Sequence, residues 1–495
     1  MGTLDKVKGL VENPPKEYRS APFWGWNDRL QKENLGEQIE GFKKAGMGGF
    51  FIHSREGLET EYLSTEWMED VKFCVDKARE NDLELWIYDE DKWPSGAAGG
   101  KVSRVNPAEF TARALTMECG KAGELAVPAK LSNEEERTVT GDSDSIMCGG
   151  NRSTDENFMS GRNGSEDLAV EETMETEFLQ GVYVIQTAAD GRFIKRMKEY
   201  LTYEEAAGAC GVDEEILLLR QEISGKSEWY NGLMPPDNLN PESVKTFLKL
   251  THEHYEEVFG GSFPKEVKGF FTDEPNCCDF FSVFHEGRPW IPWSIGFTEY
   301  FIEKRGYDPQ EKLPYLFFDG EGAEKIRHDY WKTVAQRFEE SYMKQVYEWC
   351  DKRGLRTTGH ILYENDLGYQ TRVCGAAMPQ LRYLHNPGID LLGAQTDEYL
   401  TVKQCASVAH QYERSMTISE AYGCTGWELD FSTQKWLGDW QFALGITRRC
   451  QHLALYSITG CRKRDYPPVF NYQNTWWDDN DKMENYFGRL ALCLS

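Results

Sequence analysis

No stretch of about 18 apolar residues runs through this chain, so no segment is long and apolar enough to span a bilayer as a helix. Met1 to Pro15 is polar and lacks the apolar h-region of a secretory leader, and the chain reads as soluble and cytoplasmic. Positive charge is scarce: 55 Lys and Arg stand against 82 Asp and Glu, a formal net charge of −27. Such a field repels phosphate backbones and anionic lipid, so neither nucleic acid nor membrane is an expected partner. The 13 cysteines are odd in number and show no metal-type pairs of pairs. Buried thiols in a reduced compartment are the expected state. HExxH is missing, Ser95 sits in no GxSxG elbow, and the Gly99-Gly100 turn carries neither a GxGxxG nor a GK[ST] pattern, so zinc peptidase, serine hydrolase and nucleotide-loop chemistry are not signalled. No residue is expected to ligate a metal.

What the chain has in quantity is aromatic and acidic residues. Aromatics make up 13%, with 15 Trp and 24 Tyr, and such rings suit the CH faces and hydroxyl rims of sugars. The organising stretch is Val267-Lys268-Gly269-Phe270-Phe271-Thr272-Asp273-Glu274-Pro275. It reads as a short buried strand whose carboxylates leave the core and whose proline ends the ladder. Similar runs are Ala21 to Asn27, Gly48 to His53, Leu83 to Tyr88, Leu355 to Ile361, Pro387 to Gly393, Met416 to Glu420 and Leu453 to Ile458. Eight runs separated by helical periodicity predict an α/β chain, a (β/α)8 TIM barrel. An open doubly wound sheet is the rival, but polar clusters follow every strand instead of gathering at one crevice.

The barrel divides as strands 1–3 in residues 1–116 and strands 4–8 in residues 241–495. Residues 117–240 form a β-rich insertion between strands 3 and 4, with a mobile loop expected between Glu134 and Glu177. The chain stops inside an apolar helical pattern, Tyr486 to Leu494, so further C-terminal domains are expected.

Barrels of this kind keep their chemistry at the carboxyl ends of the strands. Glu274 ends strand four and Glu420 ends strand seven, the two carboxylates that glycoside cleavage requires. Glu274 is expected to be the general acid because apolar neighbours raise its pKa. Glu420 is expected to stay ionised beside Arg462 and to act as nucleophile or base; an ion pair with Arg462 or Lys463 is its structural alternative. Glu364 is the rival acid. Trp24, Trp26, Asn27, His53, Tyr88, Asp89, Glu90, Asp273, His360 and Tyr456 are expected to line the same mouth. Trp93, Tyr422 and Trp427 are expected to stack on sugar, while Arg55 and Arg464 bond hydroxyls or orient the acids.

Phe23-Trp24-Gly25-Trp26-Asn27, Gly48 through Arg55, Tyr88 through Gly96, Phe271 through Pro275 and Arg462-Lys463-Arg464-Asp465 resemble bacterial glycosyl hydrolases of unassigned specificity. More distantly they are similar to family 106 α-L-rhamnosidases. The resemblance covers nearly the whole chain outside residues 120–235. It implies a (β/α)8 catalytic domain, a plant-type glycan or glycoside substrate, added β-sandwich modules, inversion of configuration and calcium use. The placement of acids on strands four and seven suggests retention instead, and Asp273 stands where the large retaining barrel clan has Asn. Two other readings stay open: a catalytically silent sugar-binding barrel, and a metal-dependent sugar lyase or aldolase.

Overall fold

The computed structural model describes residues 3–126, 177–278 and 288–494. It divides into two compact units. The first comprises Met1–Gly99, Val244–Asn276 and Tyr342–Ser495; the second comprises Gly100–Ser243 and Cys277–Ser341. The loop expected between Glu134 and Glu177 lies outside the described residues.

The first unit is a parallel barrel wrapped by helices. Its strands are β1 (Phe23–Trp26), β2 (Gly49–Ser54), β3 (Glu84–Tyr88) and β8 (Val267–Thr272), then β10 (Arg356–Gly359), β11 (Asn386–Leu391), β12 (Ile418–Ala421), β13 (Arg448–Gln451) and β14 (Ala454–Leu455). Their order in the sheet is β13-β12-β11-β10-β8-β3-β2-β1-β14. Because β13 and β14 are separated only by His452 and Leu453, they act as one broken eighth strand. β13 pairs with β12, β14 pairs with β1, and the barrel closes.

The eighth strand therefore starts at Arg448 instead of the expected Leu453, and the helix before it ends at Leu444. The helix is Phe431–Leu444, stopped by Gly445 at φ 117°, a left-handed conformation that favours glycine. The reason for the error is charge. Arg448 and Arg449 look like the solvated end of a helix, yet they form the buried first half of the strand. Successive strand residues face opposite ways. Arg448 Nη1 accordingly bonds Glu84 Oε2 at 2.7 Å, and Arg449 Nη2 bonds Glu484 Oε1 at 2.7 Å. Removing either acid would leave a buried, unpaired guanidinium.

Helix Thr65–Glu80 follows its sequence signals: the Ser64 side chain accepts from Trp67 N as N-cap, and Val71, Cys74, Val75 and Ala78 are buried. Among the described residues, no helix is long and apolar enough to cross a membrane.

The second unit carries an antiparallel sheet of β4 (Arg113–Gly120), β5 (Glu177–Thr187), β6 (Ile194–Tyr200), β7 (Glu215–Ile223) and β9 (Trp290–Trp293), in the order β6-β5-β7-β4-β9. Leu179, Val182 and Val184 alternate along β5 and pack on Ile216 and Leu218 of β7, one apolar face of a two-faced sheet.

Candidate active site

Strand alternation decides which side chains enter the barrel. Phe23, Phe51, Trp86, Tyr88 and Phe271 point inward and pack with Ile418, Leu453 and Leu455 into an apolar plug. Phe23 meets Phe271 edge-on at 4.7 Å between ring centroids. Burying one such ring stabilises the barrel by roughly 2 kcal/mol. Gly25 leaves space here that nothing larger could take, since a Cβ would lie 2.9 Å from Leu453 Cδ1.

One step further toward the carboxyl ends, apolar side chains give way to ionisable ones. A cavity of about 160 Å³ is lined by Arg55, Trp93, Asp273, Glu274, Asp390, Leu392, Glu420, His452 and Tyr466. The register aligns Asp390 with Glu420 on neighbouring strands. Glu274 follows Asp273 with φ 47°, a left-handed backbone that an L residue adopts at a cost.

Four carboxylates thus meet around few cations. His360, buried, places Nε2 2.9 Å from Asp273 Oδ1 and Nδ1 3.8 Å from Glu420 Oε2. Tyr88 Oη donates to Asp273 Oδ2 at 2.5 Å. Burial pushes the Asp273 carboxyl up, but the His360 charge, the Tyr88 bond and Arg55 together hold it below the usual range. His360 is the converse: burial opposes its charge, and Asp273 with Glu420 and Asp390 raises it well above an ordinary imidazole. Asp273 and His360 therefore form an ion pair.

Glu274 is pushed well above the usual carboxyl range by burial first and by the Asp273 charge second. Glu420 is raised too, by burial and then by Asp390 and Asp273. Asp390 is raised to about 6 by burial, against the pull of His360. The expectation that Arg462 keeps Glu420 ionised is overturned. Arg462 Nη2 lies 3.3 Å from Asp28 Oδ1, and Glu420 faces His360 and, at 3.7 Å, His452 Nε2.

Arg55 is the guanidinium of the cavity, and Asp465 holds it. Nε and Nη2 donate to the two Asp465 oxygens at 2.8 Å each, a bidentate pair. Nη1 approaches His53 Nε2 at 3.1 Å, and the group lies 4.7 Å from the Trp93 ring centroid. His53 stacks on Tyr88 at 3.7 Å, and burial lowers its pKa well below the ordinary value.

Several expected mouth residues serve the scaffold instead. Trp24 and Trp26 sit on the outward face of β1: Trp24 packs on Phe42 and Phe50, and Trp26 on Trp67. Asn27 exchanges two 2.9 Å bonds with the Ser457 backbone, tying β1 to the segment after β14. Asp89 accepts from Ser95 Oγ at 2.6 Å, and Ser95 Oγ accepts from Asp273 N at 2.8 Å. Glu90 is saturated. Its two oxygens accept from the backbone N–H groups of Asp91, Gly96, Ala97, Ala98 and Gly99 at 2.6–3.1 Å. Tyr422, buried on the helix side, donates to Gln434 O at 3.2 Å and offers sugar no face. Trp427 donates to Lys463 O at 3.0 Å, outside the cavity lining. Tyr456 lines a different cavity, and Arg464 is exposed while its neighbour Asp465 turns to the site. Glu364 accepts from Asp390 N at 2.9 Å and is raised by burial to about 8.

Asp390, Leu392, His452 and Tyr466 belong to the cavity and were not expected. Asp390 had a signal: a lone acid between Ile389 and Leu391 in a buried strand, one of the residues least often fully buried. His452 and Tyr466 had none: His452 lies inside an eighth strand expected to start only at Leu453, and Tyr466 lies beyond the cationic turn at 462–464.

A closed parallel barrel with a carboxylate-lined cavity at its carboxyl-end mouth is an architecture shared by many glycoside hydrolases. The profile of glycoside hydrolase family 106, alpha-L-rhamnosidase, matches residues 236–495, more than half of the chain, and the chain belongs to that family. A protein of Formosa agariphila named "Putative beta-glucuronidase" is 21% identical over 511 residues, covering 99% of this chain and 42% of its own length. The structure of a rhamnosidase from Novosphingobium sp. PP1Y superposes with a TM-score of 0.64 at 15% identity, covering 99% of this chain and 60% of that one. The chain thus spans less than two thirds of either protein.

The calcium that the resemblance implies can be tested against the donors. Among the described residues, two sets bring ligand atoms within 4.8 Å of one another, Asp273–His360–Glu420 and Glu274–His360–Asp390. Both need His360, whose imidazole is charged and engaged by Asp273. Calcium takes about six to eight oxygens, so these donors do not fit it as they stand.

Proposed function

We propose that this chain is the catalytic barrel of a glycoside hydrolase acting on a neutral sugar of the α-L-rhamnoside kind. The observation that carries the reading is that Glu274 and Glu420 line one small cavity with Asp273 and Asp390. Glu274, kept protonated by burial and by the Asp273 anion, donates to the departing glycosidic oxygen. Glu420, facing His360 and His452, is the second carboxylate and acts on water or on the sugar carbon once it ionises. His360 neutralises part of the negative charge and keeps Asp273 an anion.

Charge supports a neutral substrate over a glucuronide. A uronic acid brings its own carboxylate into a cavity that already holds four. The guanidinium that could receive it, Arg55, is bound bidentately by Asp465. Leu392 instead offers an apolar contact of the kind a sugar methyl group prefers. No lysine lines the cavity among the described residues, which speaks against a Schiff-base aldolase. A panel of nitrophenyl glycosides tests the reading: hydrolysis of the α-L-rhamnoside with none of the β-glucuronide is expected, and the reverse order refutes it. NMR of the first-formed anomer then decides between inversion and retention.

A further inference from the structure

The barrel unit holds a second cavity of about 490 Å³, three times the acidic one. It opens beside the segments that follow β1 and β14, with Asp28 and Gln31 from the former and Ser457 and Thr459 from the latter. Its floor is a fixed network of side-chain amides. Trp24 Nε1 and Asn471 Nδ2 both donate to Gln38 Oε1, at 2.8 and 2.9 Å, and Gln38 Nε2 donates to Tyr456 O at 3.0 Å.

Tyr456 is the informative group. Its phenol oxygen accepts from Gln31 N at 3.0 Å and from Asn34 Nδ2 at 3.3 Å, which uses its acceptor capacity. The O–H of this buried ring is left to donate, and the cavity is what it lines. Asp28 and Glu37 supply acceptors on the same wall, Arg29 a donor, and Tyr472, 63% exposed, a ring face. Two carboxylates disfavour an anion, and the mixture of amides, hydroxyls and one open ring suits a molecule rich in hydroxyls with a CH face.

We propose that this cavity is a second carbohydrate site, taking a neutral sugar unit of a glycan whose end is held in the acidic mouth. The proposal rests on the glycosidase reading for the second half of that sentence. One segment joins the two sites: Ser457 and Thr459 line the large cavity, and Tyr466 lines the small one. Between them Arg462 pairs with Asp28 of the large cavity, while Asp465 holds Arg55 of the small one.

The test is calorimetric titration of neutral oligosaccharides, rhamnose-containing ones first, into the Glu420→Gln form, which leaves the glycan uncut. The same titrations follow in Glu420→Gln/Tyr472→Ala and Glu420→Gln/Asn34→Ala. Affinity should fall roughly fivefold to tenfold in each double variant, the scale of one stacking or hydrogen-bonding contact. Tyr472→Ala alone should hydrolyse small nitrophenyl glycosides with unchanged kcat/KM. Unchanged affinity in both double variants, or no neutral glycan bound at all, overturns the proposal. If glycan affinity depends on Tyr472 while the wild type cleaves no nitrophenyl glycoside, the second site stands and the catalytic reading falls.

Discussion

Two acidic clusters follow strands of this barrel, and they differ in what their oxygens touch. In the loop after β3, Glu90 is fully buried and receives five backbone N–H groups. Around the mouth, Glu420 is also buried, yet its Oε2 has no hydrogen-bond partner among the described residues. A carboxylate saturated by backbone donors is committed to holding its loop. One that is desolvated, unsaturated and next to other carboxylates retains capacity for chemistry. Composition cannot separate the two, because Asp89-Glu90-Asp91 and Asp273-Glu274 look alike as text. Hydrogen-bond saturation separates Glu90 from Glu420.

The comparison breaks most sharply at Glu420. Glu420→Gln should lower kcat by about 10³-fold or more on every substrate, within the range typical of acid–base groups. Its melting temperature should hold, and should hold better above neutral pH. The sign follows from the raised carboxyl: ionising it costs the folded state, and glutamine cannot ionise. A variant that melts early while keeping its kcat would place Glu420 with Glu90.

Glu90→Gln should show the opposite pattern. An amide replaces an acceptor oxygen by an N–H₂ that confronts backbone donors, a loss of about 2 kcal/mol or more. Thermal unfolding should drop by several degrees, and kcat per folded molecule should change by less than about fivefold. Equal losses of stability and of kcat would erase the distinction.

The third effect is on pH dependence. Glu274 must be protonated to act as an acid, so activity stands below its raised pKa and is lost as pH rises through it. In Asp273→Asn the larger of the charges raising Glu274 disappears. His360 also loses its partner, a smaller opposing effect, so the alkaline limb should move to lower pH. A limb that stays fixed or moves up would show that Asp273 does not set the acid.

The smallest expected effect is at Glu364. Glu364→Gln should cost less than about tenfold in kcat and show no dependence on leaving group, because its carboxyl already serves the Asp390 N–H.

Much of this was legible in the text of the chain. Apolar runs followed by polar or ionisable residues located seven of the eight strands, because a buried parallel strand must be apolar and must shed its polar groups at the end. Glu274, Asp273, His360 and Glu420 were found that way. Paired buried charges defeated the method: Arg448 and Arg449 look solvated until Glu84 and Glu484, distant in sequence, are seen against them. Alternation defeated it at β1, where a four-residue strand gives no phase and the inward residues are Phe23 and Gly25 instead of the tryptophans. In Arg462-Lys463-Arg464-Asp465 the cations drew attention, and the acid is the residue that turns inward to Arg55.

The central claim is that Glu274 is the proton donor, and leaving-group dependence tests it most directly. The measurement is kcat/KM of wild type and Glu274→Gln across aryl rhamnosides of rising leaving-group pKa, with an alkyl rhamnoside as the last member. A dinitrophenolate departs without a proton, so that substrate should lose less than about tenfold, while the alkyl glycoside should lose about 10³-fold. A uniform loss across the series, or the steep pattern in Glu364→Gln instead, would contradict the assignment.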